Sequence, residues 1–184
     1  MMVILKSRAL LAVFLLTYSV CLSQKFISRT GITKFSASTE SFEPVEAISK
    51  STSVLLNSDG KIATQLYIST FSFRLALMQE HFNENYMESD EFPKASFVGK
   101  IEQFDASHLK KVSHILIGKL TIKGISKMIQ TKIELKKSLN NKIILKGMFT
   151  VAPQEFNIKI PSIVRKKIAD QIIVTIDYEL SEKK

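Results

Sequence analysis

One cysteine, Cys21, and no tryptophan occur in the 184 residues. Cys21 sits in an apolar leader-like stretch, so the rest of the chain has no thiol, which excludes disulfides and thiolate chemistry from residue 24 onward. Any fold built there is held by its hydrophobic core. Long hydrophobic runs are also missing. Ala9 to Val20 is an apolar run of twelve, short of the roughly 20 residues a spanning helix needs. The three histidines, His81, His108 and His114, form no tight ligand motif. Glu80-His81 with Glu84 is at most a fragment of a metal site, which needs three or four converging ligands. There is no G-x-S-x-G and no glycine-rich phosphate loop. Glu155 and Asp170 are isolated carboxylates with no acid/base partner assignable from spacing.

What is present at the start is an export signal. Lys6 and Arg8 precede the apolar run, and Cys21-Leu22-Ser23 offers a cut after Ser23. This divides the chain into a cleaved secretory signal, 1–23, and one domain, 24–184, that is periplasmic or secreted. A lipidated Cys21 is the alternative, but Val20 stands where lipoprotein cleavage wants a small residue. The formal charge is +9, of which Lys6 and Arg8 supply two, leaving +7. The lysines are scattered along the strands, which describes a solvated exterior with some preference for anionic membrane surfaces. No basic run with interleaved aromatics appears, and an exported chain fits a nucleic-acid role poorly.

Period-two patterning dominates the remainder. Lys25 to Ser38 carries Phe26, Ile27, Ile32 and Phe35, with Gly31 as an expected break. Val45 to Leu56 and Ile62 to Phe71 flank the turn signal Asn57-Ser58-Asp59-Gly60, which predicts a hairpin. Ala95 to Phe104, Val112 to Lys123, Met128 to Lys137, Lys142 to Val151 and Asp170 to Leu180 complete about eight strands. Between Phe71 and Glu88 the period changes to that of a helix, with Leu75, Met78, Phe82 and Tyr86 on one face. Ser162 and the residues after it predict a short helix, Ile163 to Ala169, before the last strand. The fold class is mainly β: an antiparallel eight-stranded barrel with a helical insertion near the middle. A barrel of that size is either packed solid or holds one small ligand.

Two segments carry a resemblance. His81-Phe82-Asn83-Glu84-Asn85-Tyr86-Met87-Glu88-Ser89, followed by Phe92-Pro93-Lys94-Ala95-Ser96-Phe97, resembles the helix-to-strand step of YceI-like proteins. Gly118-Lys119-Leu120-Thr121-Ile122-Lys123-Gly124-Ile125-Ser126-Lys127 is similar to that family's later strand and turn. The N-E-N-Y-M-E-S form resembles the version in Bacteroidetes-type bacteria. Lys123 departs from the histidine that many members carry. The resemblance implies a lipocalin-like barrel outside the cytoplasm that binds a polyisoprenoid or similar long-chain lipid along its axis. It implies no cofactor, no metal and no catalytic set.

On that reading the tail is held by Leu66, Ile68, Phe97, Ile101, Leu116, Leu120, Ile133, Leu145, Phe149 and Ile176. Leu75, Met78 and Phe82 form the mouth or a side wall, and Arg74, His81 or Asn85 meet a headgroup. Burial at about 0.8 kcal/mol per methylene gives a chain of some fifteen carbons ample driving force. The alternative is a ligand-free binding or adhesion module with a side-chain-filled barrel. A third reading, a metal-assisted enzyme, rests on His81 alone. A homodimer through a barrel edge or the helix face stays open, as does transient contact with a membrane surface.

Overall fold

A computed structural model describes residues 24–38, 44–106, 109 and 112–183. The expected signal 1–23, with Cys21, lies outside these residues, as does His108.

The strands are β1 (Lys25–Ser38), β2 (Glu46–Asn57), β3 (Lys61–Tyr67), β4 (Ser72–Phe73), β5 (Lys94–Ile101), β6 (Val112–Ile122), β7 (Ile125–Lys137), β8 (Ile143–Val151) and β9 (Ile168–Glu182). They form one antiparallel sheet in the order β1-β9-β8-β7-β6-β5-β3-β2-β4. Pairing of β1 with β2 joins the two sides of that sheet, so eight long strands close into a barrel. The two-residue β4 only extends the start of β2, through Ala47↔Phe73 and Ile48↔Ser72. Closure gives each of the eight long strands a partner on both sides, although β7 and β8 pair only through 133–137 and 143–147.

Local chemistry explains the turns. Ile122 pairs with Ile125, and the two residues between them, Lys123 and Gly124, have φ of 47° and 72°. Two successive positive φ values make the tight hairpin turn whose twist matches its strands, and glycine is the residue best suited to the second position. At the Asn57–Gly60 turn the Gly60 amide donates to the Asn57 carbonyl at 3.0 Å. Gly31 kinks β1 without breaking it. The register against β2 shifts on either side of Gly31, and a Cβ there would lie 2.7 Å from the ring of Tyr178.

The helical insertion is shorter than its period suggests. α1 spans Ala76–His81, and a π-helical turn continues it over Phe82–Tyr86. Leu75, at the N-cap, has extended backbone (φ −111°, ψ 129°), so the helix starts only at Ala76. The β3 alternation also ends early, at Tyr67, where Ile68–Thr70 forms a 3-10 turn.

The expected helix from Ile163 to Ala169 is not formed. Residues 162–167 are consecutive turns closed by i→i+3 bonds, from Val164 to Pro161, Arg165 to Ser162 and Lys167 to Val164. Pro161 supplies no amide and biases the residue before it away from helix. The β-branched Ile163 and Val164 add little helical preference.

Candidate functional site

The barrel interior is divided into two halves along its axis. At the end bearing the 57–60 and 138–142 turns it is filled. Phe26, Leu56, Ile101, Leu135, Ile143, Leu145 and Leu180 pack there, each nearly or fully buried. Toward the other end the interior opens into a cavity of about 490 Å³. Its barrel wall includes Leu66, Leu116, Leu120, Ile129, Phe149, Ile172 and Ile176.

Packing over glycine sets the boundary between the halves. Gly99 faces Gly118 across β5 and β6. A Cβ built on either would come within 2.6 Å of the Phe97 ring at Gly99 and 2.5 Å at Gly118. The missing side chains make room for the tip of the Phe97 ring where it bounds the cavity. Interiors are close-packed wherever side chains can reach, so an opening of this size is unusual for a small domain.

Two segments roof the open half. The first is anchored by aromatic rings. Phe35 of β1 meets Phe71 edge-on at 5.1 Å and Phe73 edge-on at 5.8 Å, and stacks on Phe82 at 5.3 Å. Phe82 lies 5.0 Å from Phe73. Gln79 ties α1 to this cluster: its Nε2 donates to the Phe71 carbonyl at 2.6 Å, and its Oε1 accepts from the Phe73 amide at 3.2 Å. The second roof segment is 153–168, which contributes Pro153, Phe156, Ile158, Ile160, Val164, Lys167 and Ile168 to the lining. Exposed lining residues from both segments, Leu75, Leu77, His81 and Lys167, mark the mouth.

The barrel wall of the cavity carries four hydroxyl side chains, Thr33, Thr64, Ser96 and Tyr178, and two of them belong to a hydrogen-bonded seam. Tyr178 and Thr33 share a hydrogen bond at 3.1 Å, and Thr33 and Thr52 share one at 2.8 Å. Burial pushes the Tyr178 phenol up to about 12, against smaller lowering by its bonds to Thr33 and Thr64. The phenol is therefore a neutral donor at physiological pH.

The expected lining residues come together with three exceptions. Leu66, Ile68, Leu75, Met78, Phe82, Phe97, Leu116, Leu120, Phe149 and Ile176 all face the cavity. Ile101, Ile133 and Leu145 do not; they are part of the packed core. Strand alternation assigned their inward direction correctly, but it carries no information on depth along the axis. Of the three expected headgroup contacts, His81 is at the cavity, while Arg74 and Asn85 are exposed and outside its lining. Sequence reasoning missed the second roof segment and the ring cluster. The FSF triplet at 71–73 beside Phe82 was the available signal for the latter.

Lys123, between β6 and β7, has a structural attachment. Its Nζ donates to Glu88 Oε1 at 2.7 Å and to the Tyr86 carbonyl at 3.3 Å. The β6–β7 turn is thereby pinned to the end of the first roof segment.

The family model for the YceI-like domain matches residues 21–180. Several solved structures share the fold. A polyisoprenoid binding domain from Saccharophagus degradans, implicated in plant cell wall breakdown, superposes with a TM-score of 0.73 at 10% identity, covering 86% of this chain and 98% of that one. BcnA of Burkholderia cenocepacia gives 0.66 at 16% identity, covering 82% and 96%. The YceI protein of Campylobacter jejuni gives 0.63 at 19% identity, covering 79% and 89%. No curated protein matches the sequence.

Proposed function

The chain belongs to the YceI-like domain family, and from that premise we propose that it binds a long amphiphilic lipid of isoprenoid type, outside the cytoplasm, to carry or sequester it. The observation that carries this reading is the hollow half of the barrel. It is lined mainly by Leu, Ile, Val, Met and Phe, and it opens beside α1 and the 160–168 turns. At roughly 30 Å³ per water- or methylene-sized group, about 490 Å³ holds on the order of sixteen such groups. Each buried methylene contributes about 0.8 kcal/mol, so even a partly inserted tail is held firmly.

The ends of the cavity differ in chemistry, which orients the guest. The packed core closes the inner end with apolar side chains, so the tail enters first. His81 and Lys167 stand at the rim, where a polar head would rest. The Tyr178 hydroxyl seam offers a fixed polar contact partway along a mainly apolar wall. The relative from Saccharophagus is described as polyisoprenoid binding, and that lends the same class of guest to this chain. The signal-like segment 1–23 supports export, and a mature amino terminus at Gln24, measured on protein from its native host, is the expected result.

Native mass spectrometry of protein purified without detergent tests the reading. The expected result is a one-to-one adduct with the mass of an isoprenoid or other long-chain lipid. A clean unliganded mass across several preparations, together with no uptake of added farnesol, supports instead a ligand-free binding module.

A further inference from the structure

The cavity opens beside α1 and the 160–168 turns, where Leu75, Leu77, His81 and Lys167 of its lining are exposed, and the two sides of that rim differ. Residues 159–170 contain Lys159, Arg165, Lys166 and Lys167 against a single acid, Asp170. All four cations are exposed. At the tip of the same turns stands Ile163, 87% exposed, next to Val164, which lines the cavity. Across the mouth, Leu77 of α1 is also exposed, at 61%. The helix side carries Arg74 together with Glu80 and Glu84, so the basic excess belongs to the 159–167 turns.

We propose that this rim docks on an anionic lipid bilayer, with Ile163 entering the interface among headgroups that the flanking cations attract. The inference rests on the lipid-binding reading above and says where the lipid is exchanged. A water-insoluble tail crosses water at high cost, so a carrier is best served by a mouth that meets the bilayer directly. An exposed apolar residue alone would be ordinary. An exposed isoleucine at a cavity mouth, with four cations and one acid, Asp170, within a few residues, fits a surface that is apolar within and negative at its face. Each basic residue near such a surface strengthens binding about fivefold.

The competing surface is at the opposite, filled end, where Leu139 is fully exposed beside Lys136 and Lys137. That end of the barrel is filled by the packed core, so docking by it would leave the mouth facing water. This makes Leu139 the control.

The test is co-sedimentation of the full mature chain with two kinds of vesicle, phosphatidylcholine alone and phosphatidylcholine mixed with phosphatidylglycerol. Farnesol titrated without vesicles reports the cavity separately. The expected result is binding to the mixed vesicles alone, weakened by added salt. Lys159→Gln with Arg165→Gln should weaken it on the order of twentyfold. Ile163→Asp should weaken it roughly tenfold or more, and Leu139→Asp should leave it unchanged. Farnesol uptake should be the same in all variants, because none of these residues lines the cavity. Equal binding to both vesicle types, binding to neither, or a larger loss in Leu139→Asp than in Ile163→Asp overturns the docking proposal. Loss of farnesol uptake by the unaltered protein overturns the cavity reading instead.

Discussion

The hydroxyl of Tyr178, on β9, lies 3.1 Å from Oγ1 of Thr33, on β1, inside the closed barrel. This bond crosses the β1–β9 seam beside the cavity, and Thr33 carries it on to Thr52 of β2 at 2.8 Å. Three hydroxyls thus connect three adjacent strands beside a mainly apolar cavity.

A pH dependence follows from the buried phenol. Its folded-state value, about 12, lies above the ordinary 10.0. The neutral form is therefore favoured in the folded chain. Its stabilisation is complete below about pH 10 and is lost as pH rises toward 12. At about 1.4 kcal/mol per pKa unit, the wild type loses about 3 kcal/mol of unfolding free energy across that window from this group. Denaturant titrations at pH 9 to 12 should show the loss in the wild type, and Tyr178→Phe should lack it. At neutral pH, Tyr178→Phe should cost only about 1 kcal/mol, because Thr33 keeps Thr52 as a partner.

Glu88 and Lys123 should be unequal under mutation. The Lys123 side chain is 9% exposed and that of Glu88 is 46% exposed. Removing Lys123 frees a carboxylate that water can solvate, whereas removing Glu88 leaves an ammonium in a nearly closed site with one carbonyl. Glu88→Ala should therefore cost more than Lys123→Met, about 2 kcal/mol against about 1. Chemical denaturation of the two variants measures the order directly, and the reverse order would mean that the pair is solvated.

Gly118 tests how the cavity floor is made. A Cβ there would lie 2.5 Å from the Gly99 Cα, the Val98 carbonyl oxygen and the Phe97 ring. Two of those three contacts are backbone, so little can yield. Gly118→Ala should destabilise the chain by about 1–3 kcal/mol and push the Phe97 ring into the cavity. The measurable sign is weaker uptake of farnesol at temperatures where the variant is still folded. Uptake equal to that of the wild type would show that Phe97 does not bound the bound tail.

The legibility of this fold in its sequence was uneven, for physical reasons. Strands with one buried face were readable by alternation, as in β7, where Ile129, Ile133 and Leu135 fall on one side. Turns with fixed dihedral demands were readable from Asn57 to Gly60 and at Lys123-Gly124. The helix face Leu75, Met78, Phe82 and Tyr86 converges on the cavity as its spacing suggested, although only part of that stretch is α-helical. Position along the barrel axis was not readable. Ile101 and Phe97 share a face and a period, yet one is packed core and the other bounds the cavity. The roof from Pro153 to Ile168 was not readable either, because it has no period and owes its place to long-range packing. The expected helix at Ile163 failed because neighbouring Pro161 and β-branched residues favour turns.

The most direct measurement of the central claim is a titration of the mature chain with geraniol, farnesol and geranylgeraniol, followed by calorimetry. A half-hollow barrel holding about sixteen methylene-sized groups predicts one-to-one binding that strengthens about fourfold per added methylene. The gain should be steep from geraniol to farnesol and small from farnesol to geranylgeraniol, once the cavity is full. No saturable binding by any of the three would contradict the account, because the hollow half of the barrel would then hold no lipid.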